Sequence, residues 1–600
     1  MTFPNLRRFL AQLERDGDLA VVDAPVDPNL ELPEVHRRVI AADGPALLFR
    51  NPVGSSIPVA TNLFGTARRV ELAFGRDPQH FIERLVELAE TMVPPTLEKI
   101  WGARDVGLKL ARVGMKNRKY GPVTEVVDRQ PDLTRIPFLT SWPEDGGPFL
   151  TLPLVYTEHP DDGRHNLGIY RMQRHDARRL GVHWQIGKGG GFHYHEAERK
   201  DEALPITVFL GGPPALLLSA LAPLPENVGE LLLTSLLLGG RVPRTRSSAS
   251  PHPLIAEAEF AILGHVRPHE RHPEGPFGDH YGYYSLMHDY PVMQVEAIAH
   301  RRDPIFPATV VGKPRQEDFF LGDFLQEMLA PLFPIVMPGV RDLWSYGETG
   351  YHSLAAAIVR DRYAREAMVS AFRILGEGQL SLTKFLLLTD GAVDLRDFRS
   401  LFEYVLARCR FESDLFLFGH LSMDTLDYTG PKVNKGSKGV MLGLGDPIHD
   451  LPRTFNGTPG NGIRGVRPYC AGCLVVDGVS YEDDPDWARA VAADPALEEW
   501  PMVMVVDDAV EATRTDARFL WTVFTRFEPA ADFTAAKVDL VRNHPAFRPP
   551  VVIDARLKPG YPGELFCDPD TATQVGRRWR EYFPKGVEMG DSEVGHLDRS

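Results

Sequence analysis

Apolar positions recur at helical spacing over residues 5–16 (NLRRFLAQLERD), and Gly17 stands where such a helix would stop. Residues 30–75 alternate helix-like with strand-like pieces, and ALLF at 46–49 predicts a short buried strand. Phe81 to Val93 predicts a further amphipathic helix, ended by the prolines at 94–95. From about residue 120 to 315 the period changes. Short β-rich runs (FLTLPLVYT, PITVFLG, AEFAILGHV, PVMQVEAIAH, FPATVVG) are separated by turns rich in Gly, Pro, Asp and His. Strands of this length and spacing predict a barrel or a strongly bent sheet.

Beyond residue 320 strands alternate with helices, which predicts an α/β domain. Within it, 385–415 (FLLLTDGAVDLRDFRSLFEYVLARCRFESDL) resembles 503–533 (VMVVDDAVEATRTDARFLWTVFTRFEPAADF). Asp390 then aligns with Asp507, Val393 with Val510, Arg408 with Arg526 and Asp414 with Asp532, allowing one inserted residue. A duplication and a shared strand–helix rhythm both account for this. The expected organisation is an N-terminal α/β region over 1–118, a β-rich domain over 119–318, an α/β domain over 319–588 and a polar, disordered tail over 589–600.

Six hundred residues exceed what one hydrophobic core serves and imply two to four domains. A net charge of −15 repels phosphate backbones and anionic membranes, so nucleic acid is not an expected partner. Ala203 to Pro225 carries no formal charge, but five prolines and a Gly-Gly pair argue against a spanning helix and for buried strand and loop. The start of the chain breaks into charge too early for a signal peptide. Four cysteines are too few to staple this length, which points to a reducing cytoplasm. Cys470 and Cys473 form one CxxC with no second ligand pair to make a zinc site.

Four segments could carry chemistry. NLGIYRMQ places Asn166 and Arg171 five residues apart at the end of a strand. GVHWQIGKGGG sets His183 and Trp184 before Lys188 and three glycines, a backbone that could wrap a phosphate or could be a plain surface loop. Glu230 opens an apolar helix, where an acid also serves simply as a dipole partner. HPEGPFGDHYGYY packs Glu274, Asp279 and His280 among rings, an acidic turn or a pair of buried acids with raised pKa values. Amide, imidazole and carboxylate from Asn166, His183 and Glu230 would suit Mn²⁺ or Mg²⁺ bridging to a phosphate. Arg171 between two acids could grip a carboxylate and return a proton.

NLGIYR, the following HW, Glu230 and EGPFGDHYGYY resemble, in order and spacing, the active-site motifs of the UbiD-like decarboxylases. The opening LRRFLAQLERDGDLAVVDAPVDPNLE and TKFLLLTD at 383–390 resemble theirs too. The resemblance implies a split β-barrel binding prenylated FMN, flanked by α/β regions. It implies that Asn166, His183 and Glu230 hold Mn²⁺ or Mg²⁺, with K⁺ a further candidate, against the cofactor phosphate. By the same resemblance Ile169, Tyr170 and Arg171 contact the flavin, Trp184, Lys188 and Lys384 lie near it, and Arg171, Glu274 and Asp279 form the catalytic trio. Members vary between Arg and His at position 183 and between Glu and Asp at position 279. A closed apolar pocket would then keep the proton-donating acid neutral.

The implied activity is non-oxidative, reversible decarboxylation of an aromatic or unsaturated acid, with a flavin prenyltransferase supplying the cofactor and a homo-oligomer (dimer or hexamer) expected. TLPLVYTE, GVHWQIGK, PATVVGKP and LSLTKF most resemble the branch acting on 1,4-dihydroxy-6-naphthoate in menaquinone biosynthesis. Another hydroxyaromatic or acrylic acid is the alternative substrate. A flavin oxidoreductase is the rival class, separated by consumption of a nicotinamide.

Overall fold

The computed structural model describes residues 2–75, 79–80, 82–84, 87, 111–184, 189–224, 229–313, 315–592 and 597. The helix expected over 81–93 and the end of the chain from 593 lie largely outside the described residues. The chain divides into two compact units, one formed by 1–328 with 564–596 and the other by 329–563 with 597–600.

The first unit begins with the helix Leu6–Arg15. The Asn5 side chain accepts from the Arg8 N–H to cap it, and Leu6, Phe9, Leu10 and Leu13 are its buried face. Ala46–Phe49 is the buried strand its composition predicts, lying parallel to Leu19–Val22 and antiparallel to Val59–Thr61. The β-rich region forms one curled antiparallel sheet. Its order is Phe149–Leu150, Met172–Arg174, Arg179–Val182, His288–His300, Phe260–Glu274, Leu204–Leu210, Leu154–Glu158 and His165–Ile169, with Val126–Asp128 pairing onto His288–His300. Two register shifts between the long strands Phe260–Glu274 and His288–His300 bend the sheet into a half-barrel.

The uncharged stretch 203–225 departs from the strand and loop expected of it. It is the strand Leu204–Leu210 followed by a helix, Pro214–Leu221. Proline at a helix's first position gives up an N–H that would have no partner there, so Pro213-Pro214 starts this helix rather than preventing one. Among the described residues one helical segment, Glu317–Val336, is long and apolar enough to cross a membrane by length and composition.

The last helix, Pro569–Tyr582, returns to the first unit, where Tyr582 Oη donates to Glu31 Oε1 at 2.5 Å. The second unit holds two five-stranded sheets. The first runs Val340–Ser345, Leu354–Val359, Phe385–Thr389, Gly436–Gly443, Leu415–Leu421, and the second Gly465–Cys470, Cys473–Asp477, Met502–Val505, His544–Asp554, Phe533–Val541. Each sheet begins and ends with an antiparallel pair and has two parallel pairs between them. The segments that resemble each other in sequence hold the same place in the two sheets. One apolar core, including Phe385, Leu387, Met502 and Met504, joins them.

Candidate active site

Arg171 follows the strand His165–Ile169 and precedes Met172–Arg174, so its side chain leaves the sheet at an interruption. Glu274 ends the long strand Phe260–Glu274, and Asp279 sits in the loop between the paired strands Phe277–Gly278 and Tyr284–Ser285. These meet. Arg171 Nε donates to Glu274 Oε1 at 2.8 Å and Nη2 to Oε2 at 3.1 Å, a two-pronged grip. Nη2 also donates to Ser285 Oγ at 2.9 Å, and Nη1 pairs with Asp279 Oδ2. The guanidinium carbon lies 4.7 Å above the Phe277 ring.

The loop is tied to its surroundings. Gly275 N–H donates to Gln173 Oε1 and Gly278 N–H to Asp145 Oδ1, both at 2.8 Å. Asp145 Oδ2 also accepts the N–H groups of Ser141 and Trp142, at 2.8 and 3.0 Å. Burial pushes the Asp145 carboxyl up to about 6.

The charge state differs from the neutral acid expected of an apolar pocket. Burial is the largest single effect and works to raise both acids, but the Arg171 cation and the other partners together outweigh it. Arg171, with the side chain and backbone N–H of His280, holds Asp279 down at about 2. Glu274 lies well below the usual carboxylate range for the same reason, with His183 adding to the effect. Both are carboxylates in this arrangement. Their partners, not their burial, set that.

His183 extends the network. Burial, then the charge of Arg171, lowers its pKa, so the ring is neutral. Its Nδ1 lies 3.1 Å from Glu274 Oε2. An ionised carboxylate only accepts, so Nδ1 carries the proton and Nε2 keeps its lone pair. Nε2 is buried with no hydrogen-bond partner among the described residues. The ring packs 4.4 Å from that of Tyr290.

Asn166, Tyr170, Trp184 and Glu230 gather around the strand His165–Ile169. Tyr170 Oη accepts from Asn166 Nδ2 at 3.4 Å and from the Gly190 N–H at 3.2 Å. Trp184 Nε1 is buried without a hydrogen-bond partner among the described residues. Glu230 opens the helix Glu230–Leu238, as its sequence predicts, and its Oε2 accepts the Leu167 N–H at 3.1 Å. Burial pushes this carboxyl up to about 7, against the pull of backbone N–H donors. Ile169, half-buried, pairs with Leu154 across the sheet.

The glycine run is no surface loop. Gly189–Arg199 is a helix, and a Cβ at Gly189 would lie 2.0 Å from Asn166 Oδ1. At Gly190 it would lie 2.8 Å from Trp184 Nε1. The glycines let the helix start approach those two side chains, a reason that local sequence does not carry. Lys188 lies outside the described residues. Lys384 belongs to the second unit, where its buried Nζ lies 2.8 Å from Asp427 Oδ2. Among the described residues no three His, Cys, Asp or Glu side chains form a metal-binding group, so a cation here would need Asn166 Oδ1 and donors from a bound ligand.

Reading the sequence alone missed Asp145, Ser285, Tyr290 and Asp318. Ser285 directly follows the EGPFGDHYGYY motif, and Asp145 sits in the Gly- and Pro-rich turn PEDGGP, a signal for a loop but not for a role. Asp318 is raised to about 6, chiefly by burial, in the field of His280 and Asp279.

A buried arginine clamped by two ionised carboxylates, one of which also holds an imidazole with a free lone pair, is the arrangement of a small-molecule enzyme site. Three successive segments match family models of 3-octaprenyl-4-hydroxybenzoate carboxy-lyase: its N-terminal domain at 10–89, its Rift-related domain at 115–314 and its C-terminal domain at 319–443. The second five-stranded sheet lies beyond these matches. The chain is 49% identical to a protein of Chlamydia pneumoniae that is named as part of a 4-hydroxybenzoate decarboxylase, over 96% of this chain and 98% of the relative. Among solved structures, Sedimentibacter hydroxybenzoicus vanillic acid decarboxylase in closed form superposes with a TM-score of 0.66 at 23% identity, covering 75% of this chain and 94% of its own. An evolved dimeric form of the UbiD-class enzyme HmfF from Pelotomaculum thermopropionicum, in complex with prFMN, superposes at 0.61 and 24% identity, covering 75% and 97%. At those identities the likeness is one of fold. The chain belongs to the UbiD family and is a carboxy-lyase.

Proposed function

We propose that the enzyme removes the carboxylate of a hydroxyaromatic acid, 1,4-dihydroxy-6-naphthoate foremost, with prenylated FMN and Mn²⁺ or Mg²⁺ bound beside Arg171. The observation that carries this reading is the Arg171 guanidinium, buried and held by Glu274 and Asp279. The lone pair of His183 Nε2, the unpartnered Trp184 N–H and the close-packed start of the glycine helix fit a bound phosphate and its cation. Asn166, His183 and Glu230 would hold the metal, with Ile169, Tyr170 and Trp184 along the flavin and Lys188 as a further contact. When bound, prenylated FMN supplies the electron sink for the pair left on an sp² carbon as carbon dioxide departs.

The protein's part is to hold the acid and move one proton. Four of the five Arg171 N–H groups are taken by Glu274, Asp279 and Ser285, so a two-pronged grip on an incoming carboxylate requires one of these to move. Arg171 grips Glu274 with two nitrogens but Asp279 with one, and His280 holds the other Asp279 oxygen away from the guanidinium. Asp279 therefore yields. Away from the cation, burial no longer has an opponent of equal strength and raises the Asp279 pKa. The proton reaches Asp279 Oδ1 from His280, whose ring is 26% exposed and lies 2.7 Å away at Nδ1. Asp279 then delivers that proton to the carbon that has lost carbon dioxide, while Glu274 keeps Arg171 in place.

The test is production with and without a flavin prenyltransferase, followed by carbon dioxide release from the naphthoate in the presence of Mn²⁺. Only the protein made with the prenyltransferase should turn over. Equal activity with ordinary FMN, or with no flavin, overturns the reading. The name of the Chlamydia pneumoniae relative favours 4-hydroxybenzoate as the second candidate. Turnover of that acid alone would replace the naphthoate and leave the chemistry standing.

A further inference from the structure

We propose that the segment Glu564–Cys567 is a strap that positions the acidic loop, and through it Asp279, against Arg171. It rests on the catalytic reading above for its effect on turnover, though not for its geometry. These are the first residues of the chain after it returns to the first unit. They lie hundreds of positions from the loop they touch, so no local sequence pattern announces them.

The contacts form a short chain of cause. Leu565 N–H donates to the Gly282 carbonyl at 3.0 Å, and Glu564 and Tyr283 form an antiparallel β-bridge. Within the loop, Asp279 N–H donates to the Tyr283 carbonyl at 3.0 Å and Gly282 N–H to the Asp279 carbonyl at 2.9 Å. The strap thus holds the two residues that hold the Asp279 backbone. Its side chains reinforce this from both sides. Glu564 Oε1 lies 2.7 Å from the buried Lys313 Nζ, and Leu565 is fully buried against Trp142, Tyr284 and Cys567.

Trp142 completes the clamp. Its Nε1 donates to the Val311 carbonyl at 2.8 Å. A Cβ at Gly278 would come within 2.1 Å of its ring and one at Gly312 within 2.4 Å, so the indole is wedged between the loop and the segment of Lys313. A Cβ at Gly312 would also touch Leu565 Cδ1 at 3.4 Å. The two stretches that lead out of and back into the first unit are therefore fastened to each other and to the loop carrying Asp279. A loop of five residues between two-residue strands has little rigidity of its own. The strap supplies it.

The experiment uses the full chain carrying Leu565→Ala and, separately, Glu564→Gln, with Leu565→Met as the conservative control. Hydrogen exchange followed by mass spectrometry should show peptides spanning 275–285 exchanging roughly tenfold faster or more in Leu565→Ala, with the strands Leu204–Leu210 and Phe260–Glu274 unchanged. In holoenzyme, kcat should fall by roughly 10- to 100-fold while KM and flavin content hold, because displacements near 1 Å suffice for such losses. Leu565→Met should restore both readouts, and Glu564→Gln should show the same pattern in milder form. Unchanged loop exchange, or exchange raised equally across the whole first unit, overturns the proposal. If the parental enzyme decarboxylates nothing, the catalytic reading fails, and loop exchange alone still decides the strap.

Discussion

Glu274→Gln replaces one oxygen by nitrogen at a fully buried position where every neighbour is a donor. Arg171 Nε at 2.8 Å, Arg171 Nη2 at 3.1 Å and His183 Nδ1 at 3.1 Å all point at the two carboxylate oxygens. The amide offers one acceptor and sets an N–H₂ against a donor on its other side. Removing one partner of a buried ion pair costs about 3–5 kcal/mol, a large part of the ~5–15 kcal/mol that holds a typical domain. The melting temperature should fall by several degrees without loss of the fold. Turnover should fall by roughly 10²–10⁴-fold, the range for general acid–base groups and their supports. Because Glu274 also orients His183, Mn²⁺ affinity should weaken by about 10–100-fold, as it does when a histidine ligand loses its outer partner. The assay is carbon dioxide release at saturating Mn²⁺, with flavin absorbance and metal titration on the same sample. Hydrogen–deuterium exchange at the product carbon separates the acids: Asp279→Asn should abolish it, whereas Glu274→Gln should retain residual exchange. Parental kcat in Glu274→Gln would refute the reasoning. Exchange that survives in Asp279→Asn but not in Glu274→Gln would reverse the two roles.

Glu230→Ala should lose metal and flavin together, read as metal content by mass spectrometry and as flavin absorbance per chain, with His183→Ala a milder case; full occupancy in Glu230→Ala would leave that acid a mere helix start. Asp279, held at about 2 by Arg171 and His280 together against the opposing effect of burial, stabilises the fold as an anion. That contribution is fully present above the unfolded carboxyl value near pH ~4 and is lost as pH falls through the lowered one. The melting-temperature gap between the parent and Asp279→Asn, measured without cofactor, should therefore be constant above about pH 5 and narrow below about pH 4.

Much of this is legible along the chain because the information is local. The helix Leu6–Arg15, the buried strand Ala46–Phe49, the bent sheet and the helix opened by Glu230 each repeat a period or a cap within a dozen residues. Backbone geometry alone imposes those periods. The motifs around Arg171 and EGPFGDH are equally readable, and they point to the family to which the chain belongs. The two similar stretches at 385–415 and 503–533 also hint at the paired sheets that share one strand order.

What those residues do to each other comes from contacts between remote segments. Arg171 meets Glu274 and Asp279 from 103 and 108 positions away, and that meeting leaves both acids as carboxylates where a neutral proton donor is expected from the sequence. The glycine run suggests a loop because glycine disfavours helix; contact with Asn166 and Trp184 is what requires it at a helix start. The strap that returns to grip the Asp279 loop depends in the same way on remote partners. A period is written into neighbouring residues by the backbone, but a pKa, a close approach or a clamp is set by burial and charge that distant segments bring. The elements and the chemical inventory of this chain are therefore local properties, whereas protonation and grip at Arg171 arise only once residues a hundred or more positions apart are packed together.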